Sequence, residues 1–493
     1  MPEKYILSID QGTTGTHVAL IDTQLKVRGS AYQEFPQHFP KPGWVEHDLD
    51  EIWSSVEVCL ARTLKLAGVS GKAITGIGIT NQRETTCLWE RDTGRPVAPA
   101  IVWQDRRTAA RCAQLKAQGN QEEVRKRTGL VIDPYFSATK LNWLLDHPTS
   151  NRRRAVGGEL CFGTIDTWLI YKLSGHALHL TDVSNASRTL LMDLKSLSWD
   201  DALLKLFKVP RTVLPEIRAS AEIYGHTLGV RALPDGIPIA SAIGDQQAAL
   251  FGQACFSTGD AKCTYGTGAF LLMNTGPQPM PSTAGLLSTV AWKLEGHTTY
   301  ALEGSTFIAG AAVQWLRDGL HLIDKASDIE KLALQAPETG EVVFVPALSG
   351  LGAPHWRPEA RGLLAGFDRS TTLAHIARAV LEGVAFQIYD LVQAMQIDAR
   401  TAITSLKVDG GAAANNILMQ FQADLLNATV VRPENLQTTG LGAAFLAGLA
   451  TEVWRSPDEI RKVWKVDQKF RPRLTAAARK KHLVKWNGAV SRA

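Results

Sequence analysis

Apolar runs that stop abruptly at glycine, threonine or an acid recur along this chain. Tyr5–Ile9 reads as a strand, Asp10-Gln-Gly-Thr-Thr-Gly15 as a tight turn, and Thr16–Asp22 as a returning strand. Both arms are apolar, which predicts a buried hairpin with its turn at one edge of a sheet. Lys26–Gln37 continues as a third strand, and Asp48-Leu-Asp-Glu51 has the form of a capping box that opens a helix to about Leu66. Ile74–Ile79 alternates with glycine and ends in Thr80-Asn-Gln-Arg-Glu-Thr85. This strand–helix–strand succession predicts a doubly wound α/β domain with parallel strands. Tyr135–His147 reads as a helix with Leu141, Leu144 and Leu145 inward, and Thr164–Leu173, carrying Trp168 and Leu169, as a further core element.

Further along, Ile237–Ile243 is apolar or small, with Pro238 near the start, where a strand tolerates it. Gly244 breaks the run and Ala248–Phe251 reads as a helix start. Asp245, Gln246 and Gln247 then sit at the C-terminal end of a buried strand, the edge at which open α/β sheets bind ligands. Asp245 is there either a helix N-cap or a catalytic carboxylate. Ala261–Tyr265, the turn Gly266-Thr-Gly268 and Ala269–Asn274 form a second hairpin of the first kind. Two such hairpins predict two related domains facing across a cleft, residues 1–250 and 251–493. Glu303–Gly310 leads into a helix at Ala311–Leu320, and Thr372–Met395 is a long amphipathic helix with Ile376, Val380, Val384 and Ile388 on one face. Leu406–Gly411 is a strand ending in a double glycine before a helix at Asn415–Leu426, an arrangement suited to an anion or nucleotide. Thr439–Ala443 opens a small-residue helix able to pack closely. No G-x-x-x-x-G-K-[ST] loop is present and no convincing G-x-G-x-x-G follows a strand, which disfavours P-loop and Rossmann folds.

Composition changes this picture little. At 493 residues the chain is too long for one core, and 45% hydrophobic with 20% charged residues is ordinary for a globular protein. No apolar run approaches the ~18 residues of a membrane span, and the N-terminal Met-Pro-Glu-Lys-Tyr lacks a signal-peptide core. The six cysteines form no C-x-x-C pair and read as buried thiols of a reducing compartment, so the expected location is the cytoplasm. Net charge is +5, and eight Lys or Arg with no acid follow Asp467. That tail reads as a solvated C-terminal helix anchored by Leu483, Val484 and Trp486. No aromatic-interleaved basic stripe points to nucleic acid, and no membrane partner is expected.

The polar residues at the strand ends hold the candidate chemistry. The Gly/Thr turn after Asp10 gathers N–H groups and hydroxyls that suit phosphate oxygens, or is a plain turn. Arg83 and Glu84 fall at a strand end, as a site or as a surface ion pair. Trp103 is a core residue or a ligand wall.

Several stretches resemble the FGGY carbohydrate kinase family, and within it the members acting on glycerol. They are Asp-Gln-Gly-Thr-Thr (10–14), Gly-Trp-Val-Glu-His-Asp (43–48), Asn-Gln-Arg-Glu-Thr (81–85), Thr-Gly-Leu-Val-Ile-Asp-Pro-Tyr-Phe-Ser (128–137), Gly-Asp-Gln-Gln-Ala-Ala (244–249), Thr-Tyr-Gly-Thr-Gly (264–268) and Val-Asp-Gly-Gly (408–411). The likeness covers about residues 4–470, with Phe367 a small departure. It implies an α/β protein of two actin-like ATPase (ribonuclease H-like) domains facing a catalytic cleft. It also implies ATP-dependent phosphorylation of glycerol to sn-glycerol 3-phosphate, with ATP and Mg²⁺. By the same likeness Asp245 is the general base, and Asp10 with Asp245 would associate with Mg²⁺. Arg83, Glu84, Trp103, Tyr135, Asp245, Gln246 and Phe270 would bind the acceptor, and Thr13, Thr14, Thr267, Gly310, Gln314, Gly411 and Asn415 would line the ATP site. The alternative is a kinase of this family for another polyol or ketose. A homo-oligomer is compatible with the sequence. At position 17, where the family commonly has arginine near the phosphates, this chain has His17, charged only below its ordinary pKa of ~6.5, so weaker nucleotide handling is expected near pH 8 and partial recovery at lower pH.

Overall fold

The computed structural model describes residues 4–148, 150–357 and 359–493, so Met1–Glu3, part of the signal-peptide reading, lie outside the described residues. The expected hairpin forms from β1 (Tyr5–Gln11) and β2 (Gly15–Asp22), with β3 (Val27–Glu34) antiparallel to β2. Helix α1 (Leu49–Ala67) starts at Asp48, whose carboxylate accepts from the N–H groups of Asp50 and Glu51, and stops at Gly68 in the left-handed region. After β4 (Ile74–Asn81) come α2 (Ser137–Asp146), β5 (Ala221–His226), β6 (Pro238–Gly244) and α3 (Asp245–Gly252). The first sheet has the order β5-β6-β4-β1-β2-β3. Only β1, β4 and β6 run parallel, so the expected parallel domain is corrected to a mixed sheet. The turns joining β1, β2 and β3 are too short for the crossover that parallel pairing needs.

The second half repeats the plan. Its strands are β7 (Ala261–Tyr265), β8 (Ala269–Gly276), β9 (Leu287–Leu294) and β10 (His297–Thr306), followed by the short helix α4 (Gly310–Gln314) and the long helix α5 (Leu373–Ala399). Then follow β11 (Ser405–Asp409), α6 (Asn416–Leu426), β12 (Thr429–Pro433), α7 (Thr438–Ala450), β13 (Val466–Phe470) and α8 (Ala476–Val490). The second sheet runs β9-β10-β8-β7-β11-β12-β13. The segment β10-β8-β7-β11-β12 thus repeats β3-β2-β1-β4-β6, giving a mixed α/β chain built on one strand order used twice.

Two details depart from expectation. Ala311–Leu320 is not one α-helix: α4 stops at Gln314 and a wider π turn covers Trp315–Gly319. On α8 Trp486 is fully buried and Leu483 packs on the core, whereas Val484 faces solvent and anchors nothing.

The halves meet across α3 and α7. A Cβ on Gly442 would lie 1.9 Å from the carbonyl oxygen of Ala248, so only glycine lets these backbones approach so closely. Ile6, Ala240 and Ile243 of the first sheet share one apolar cluster there with Leu272 and Trp292 of the second. All six cysteines are buried and free, and among the described residues no helix is long and apolar enough to cross a membrane.

Candidate active site

Register brings the site together. Gln11 pairs with Asn81, and Asn81 with Gly244, so the three parallel strands end at one edge. The 12–14 turn, Gln82–Thr85 and Asp245 leave from that edge.

After β4 the backbone turns sharply. Glu84 has φ +60°, and the N–H of Thr85 donates to Arg83 O at 2.7 Å, closing a three-residue turn. Such a conformation costs a non-glycine residue on the order of 1–3 kcal/mol and persists only where its surroundings over-determine it. Here the Glu84 carbonyl accepts from Thr86 Oγ1 (3.0 Å), Ser137 Oγ (3.0 Å) and Lys140 Nζ (3.4 Å). The turn sends two adjacent charged side chains inward. Arg83 and Glu84 are buried, which excludes the surface ion pair.

Their counter-ions come from elsewhere. Arg83 makes a two-pronged bond to Glu303, Nη1 to Oε2 at 2.5 Å and Nη2 to Oε1 at 3.0 Å. Its Nη1 also donates to Gln247 Oε1 (3.1 Å) and its Nη2 to the Tyr135 hydroxyl (3.3 Å). Arg188, fully buried, donates through Nε to Glu84 Oε1 (2.7 Å) and through Nη2 to Glu303 Oε1 (2.9 Å). Burial alone would raise the Glu303 carboxyl, but the guanidinium groups of Arg188 and Arg83 hold it down at about 2. Burial pushes Glu84 up, beyond what Arg83 and Arg188 offset.

Asp245 is the first residue of α3, and Gly244 occupies the cap position, so the N-cap reading is corrected. The Asp245 side chain turns to the cleft, 31% exposed, with Oδ1 accepting from the N–H of Gln246 (2.7 Å) and lying 3.2 Å from Arg83 Nε. Gln246 Nε2 donates to Oδ2 (3.1 Å), while Gln246 Oε1 accepts from the buried Lys262 Nζ (2.8 Å). Asp10 faces the same space, and burial together with the Asp245 charge pushes its carboxyl up to about 7.

Three half-buried aromatic residues wall the space. Trp103 donates through Nε1 to Thr13 Oγ1 (2.9 Å) and packs edge-on against Tyr135, and its partial exposure shows that it is not a core residue. Phe270 lies 5.9 Å from the Arg83 guanidinium.

The other expected residues lie where the hairpin turns meet. The Thr13 carbonyl accepts from Gln37 Nε2, and Thr14 Oγ1 is 3.3 Å from the Tyr32 hydroxyl. The Thr267 carbonyl accepts from the N–H groups of Ala309 and Ala311, and Gly310 N–H donates to Gly266 O, locking the 266–268 turn to α4, which carries the exposed Gln314. Thr264 pairs with Asp409, bringing Gly411 to the same edge after Gly410, whose φ is +85°. Asn415 caps α6 through Oδ1, leaving its amide nitrogen for any ligand. His17 is half-buried opposite Asp10, beside a cavity of about 230 Å³ also lined by Asn435, Gln437 and Gly440.

Sequence reasoning missed Glu303, Arg188 and Lys262. Glu303 and Lys262 each interrupt an apolar strand, which is a signal for a buried partner; Arg188 stands in Asn-Ala-Ser-Arg-Thr-Leu with no comparable mark.

Residues 5–252 match the N-terminal domain of the FGGY family of carbohydrate kinases and residues 261–451 its C-terminal domain. The chain is 64% identical, over the full length of both proteins, to a glycerol kinase of Myxococcus xanthus. It is 53% identical to that of Burkholderia pseudomallei over 99% of this chain and 98% of the other. The crystal structure of Plasmodium falciparum glycerol kinase with ADP superposes with a TM-score of 0.93 at 39% identity, covering 99% and 98% of the two chains. Gluconate kinase from Lactobacillus acidophilus, at 24% identity and a TM-score of 0.86 over 99% and 97%, shares the fold. With both halves matched and a strand order used twice around one charged cleft, the chain belongs to the FGGY family of carbohydrate kinases.

Proposed function

We propose that the chain transfers the γ-phosphoryl group of ATP to glycerol, giving sn-glycerol 3-phosphate and ADP, in a cytoplasmic setting that fits its six unpaired thiols. The observation that carries this reading is Asp245, a cleft-facing carboxylate set beside a buried guanidinium–carboxylate network at the edge where the phosphate-suited turns meet. Glycerol hydroxyls would exchange for the long Tyr135 bond to Arg83 and reach Glu84 Oε2, which accepts nothing from the described residues. Hydrogen bonds to ionised groups are the strong ones, and a site that demands every hydroxyl rejects analogues lacking one. Trp103, Tyr135 and Phe270 would cover the carbon face.

Asp245 takes the proton of the attacking hydroxyl, whose oxygen bonds to the γ-phosphorus as the bond to the bridging oxygen breaks. A positioned carboxylate base contributes typically ~10²–10⁴ in rate. The 12–14 and 266–268 turns with Gly411 would hold the phosphates and nucleotide. Mg²⁺ would sit beside Asp10 and Asp245, two carboxylates close enough for the Asp245 charge to raise Asp10, and Mg²⁺ commonly takes one or two carboxylates plus substrate phosphates. When bound it would neutralise charge on the transferring group. Closure of the two halves over bound substrates would keep out water, the competing acceptor.

The test is ADP release with Mg-ATP and glycerol, erythritol, xylulose, dihydroxyacetone or no acceptor, in the wild type and Asp245→Asn. Glycerol-dependent release lost in the variant is the expected result. Preference for a longer acceptor would move the substrate, and acceptor-independent release unaffected by the variant would overturn the kinase reading.

A further inference from the structure

One buried carboxylate underlies both strand ends that carry the site. Asp182 closes the short strand Leu180–Asp182 and caps a single helical turn at Val183–Ala186. It is fully buried and accepts five hydrogen bonds, all from neutral donors. Its Oδ1 accepts from Ser184 Oγ (2.8 Å), the N–H of Asn185 (2.9 Å) and Asn185 Nδ2 (2.8 Å). Its Oδ2 accepts from the N–H of Ser184 (2.9 Å) and from Ser220 Oγ (2.7 Å). Burial and the Asp166 charge push this carboxyl up to about 6, so above neutrality it is ionised and can only accept.

An acceptor-only group fixes the direction of the bonds that leave its partners. Ser184 Oγ gives its proton to Asp182 and so turns a lone pair to the N–H of Gly244 (2.9 Å), the residue before Asp245. Asn185 Nδ2 donates to Asp182 and, with its second hydrogen, to Asn81 Oδ1 (3.1 Å). The Asn185 Oδ1 then accepts from Asn81 Nδ2 (3.0 Å), which also donates to the carbonyl of Gln82 (2.8 Å), the residue before Arg83. Asn81 and Gly244 are register partners and the last residues of β4 and β6. One branch from Asp182 thus ends beneath the candidate base, the other beneath the acceptor contacts.

We propose that Asp182 is a positioning residue that holds Asp245 through Ser184 and the Arg83–Glu84 turn through Asn185. This rests on the assignment above of Asp245 as base and of Arg83 and Glu84 to the acceptor. Without the Ser184 hydroxyl the N–H of Gly244 is buried unpaired, and relief comes from a shift of the first turn of α3, which begins with Asp245. Without the Asn185 amide both polar atoms of the Asn81 side chain lose a partner, and relief comes from a shift of the 82–85 turn.

The experiment compares the wild type with Ser184→Ala, Asn185→Ala and Asp182→Asn. Single-turnover rates are measured at saturating glycerol and Mg-ATP, and glycerol Kd by calorimetry, well below each Tm. Ser184→Ala should lower the single-turnover rate by on the order of 10²-fold, the scale of a small misplacement of a reacting group, while glycerol Kd changes little. Asn185→Ala should show the opposite split, with glycerol Kd raised about tenfold or more and the saturated rate less affected. Asp182→Asn, which turns an amide donor towards other donors, should show both losses together. A merely structural role would lower Tm in each variant and leave rate and Kd alone. That result, or rate and Kd worsening in the same proportion in Ser184→Ala and Asn185→Ala, overturns the inference. If Asp182→Asn does not fold, the two alanine variants decide the matter, since each keeps its backbone bond to Asp182. A wild type that prefers a longer polyol refutes the glycerol assignment alone, and the same split measured with that polyol supports the role of Asp182. Turnover untouched by Asp245→Asn refutes the base assignment and overturns the Ser184 branch with it.

Discussion

Arg83 Nε lies 3.2 Å from Asp245 Oδ1, and every other N–H of that guanidinium is already engaged by Glu303, Gln247 or Tyr135. An arginine has five such donors in a fixed fork, so the position of the candidate base is tied to a group that cannot turn without breaking several bonds. The Arg83 side chain thus organises acceptor contacts and base together.

A lysine at position 83 supplies charge without the fork. Arg83→Lys should cut glycerol kcat/KM by roughly 10²–10³ while the Kd of a non-hydrolysable ATP analogue without glycerol changes little. Steady-state kinetics with glycerol varied and titration of the analogue alone decide this.

Lys262 Nζ donates to Gln246 Oε1 (2.8 Å) and Thr264 Oγ1 (2.7 Å), and burial pushes its ammonium below the usual lysine range. Lys262→Met releases the Gln246 amide that supports Asp245 Oδ2. The expected result is a loss of about tenfold in kcat, the scale of one unsatisfied buried group, with Tm unchanged or higher because a buried charge is gone.

Burial and Asp245 raise Asp10 from 3.8 to about 7. Between those values the native state keeps a proton that the unfolded chain has released, so this group's contribution to stability falls as pH rises from about 4 to 7. Asp10→Asn should therefore raise Tm at about pH 8, leave it unchanged near pH 4, and lower activity by roughly a hundredfold or more. Melting curves at both pH values check the sign.

Burial lowers the His17 imidazole below 6.5, so it is neutral through the neutral range. The recovery expected from the sequence at lower pH moves further into acid. ATP KM should be flat between about pH 7 and 8.5, improve only at pH values below the ordinary histidine pKa of ~6.5, and fall at every pH in His17→Arg.

Gly442→Ala places a methyl 1.9 Å from Ala248 O. Overpacking of that order costs about 1–3 kcal/mol, so Tm should fall by several degrees. Circular dichroism melts read it directly.

The hairpins, the 81–85 turn and the Gly244-Asp245-Gln246-Gln247 strand end were legible because each is a local signal: an apolar run, a breaker, a polar tip. β1, β7 and α1 begin and end within two residues of their sequence readings for that reason. Strand direction in the first sheet was misread because succession of elements says little about which neighbours pair.

What the sequence alone determined is the set of polar tips that strand ends present, since side-chain periodicity and turn chemistry act over a few residues. The tertiary structure alone decided that Arg83 is buried, that Asp245 faces the cleft without capping its helix, and that Glu303 and Arg188 complete the charge network. A buried charge is tolerable only beside its counter-charge, and here Glu303 lies on the other half of the chain, 220 positions from Arg83. Only the docking of two sheets through α3 and α7 brings them together.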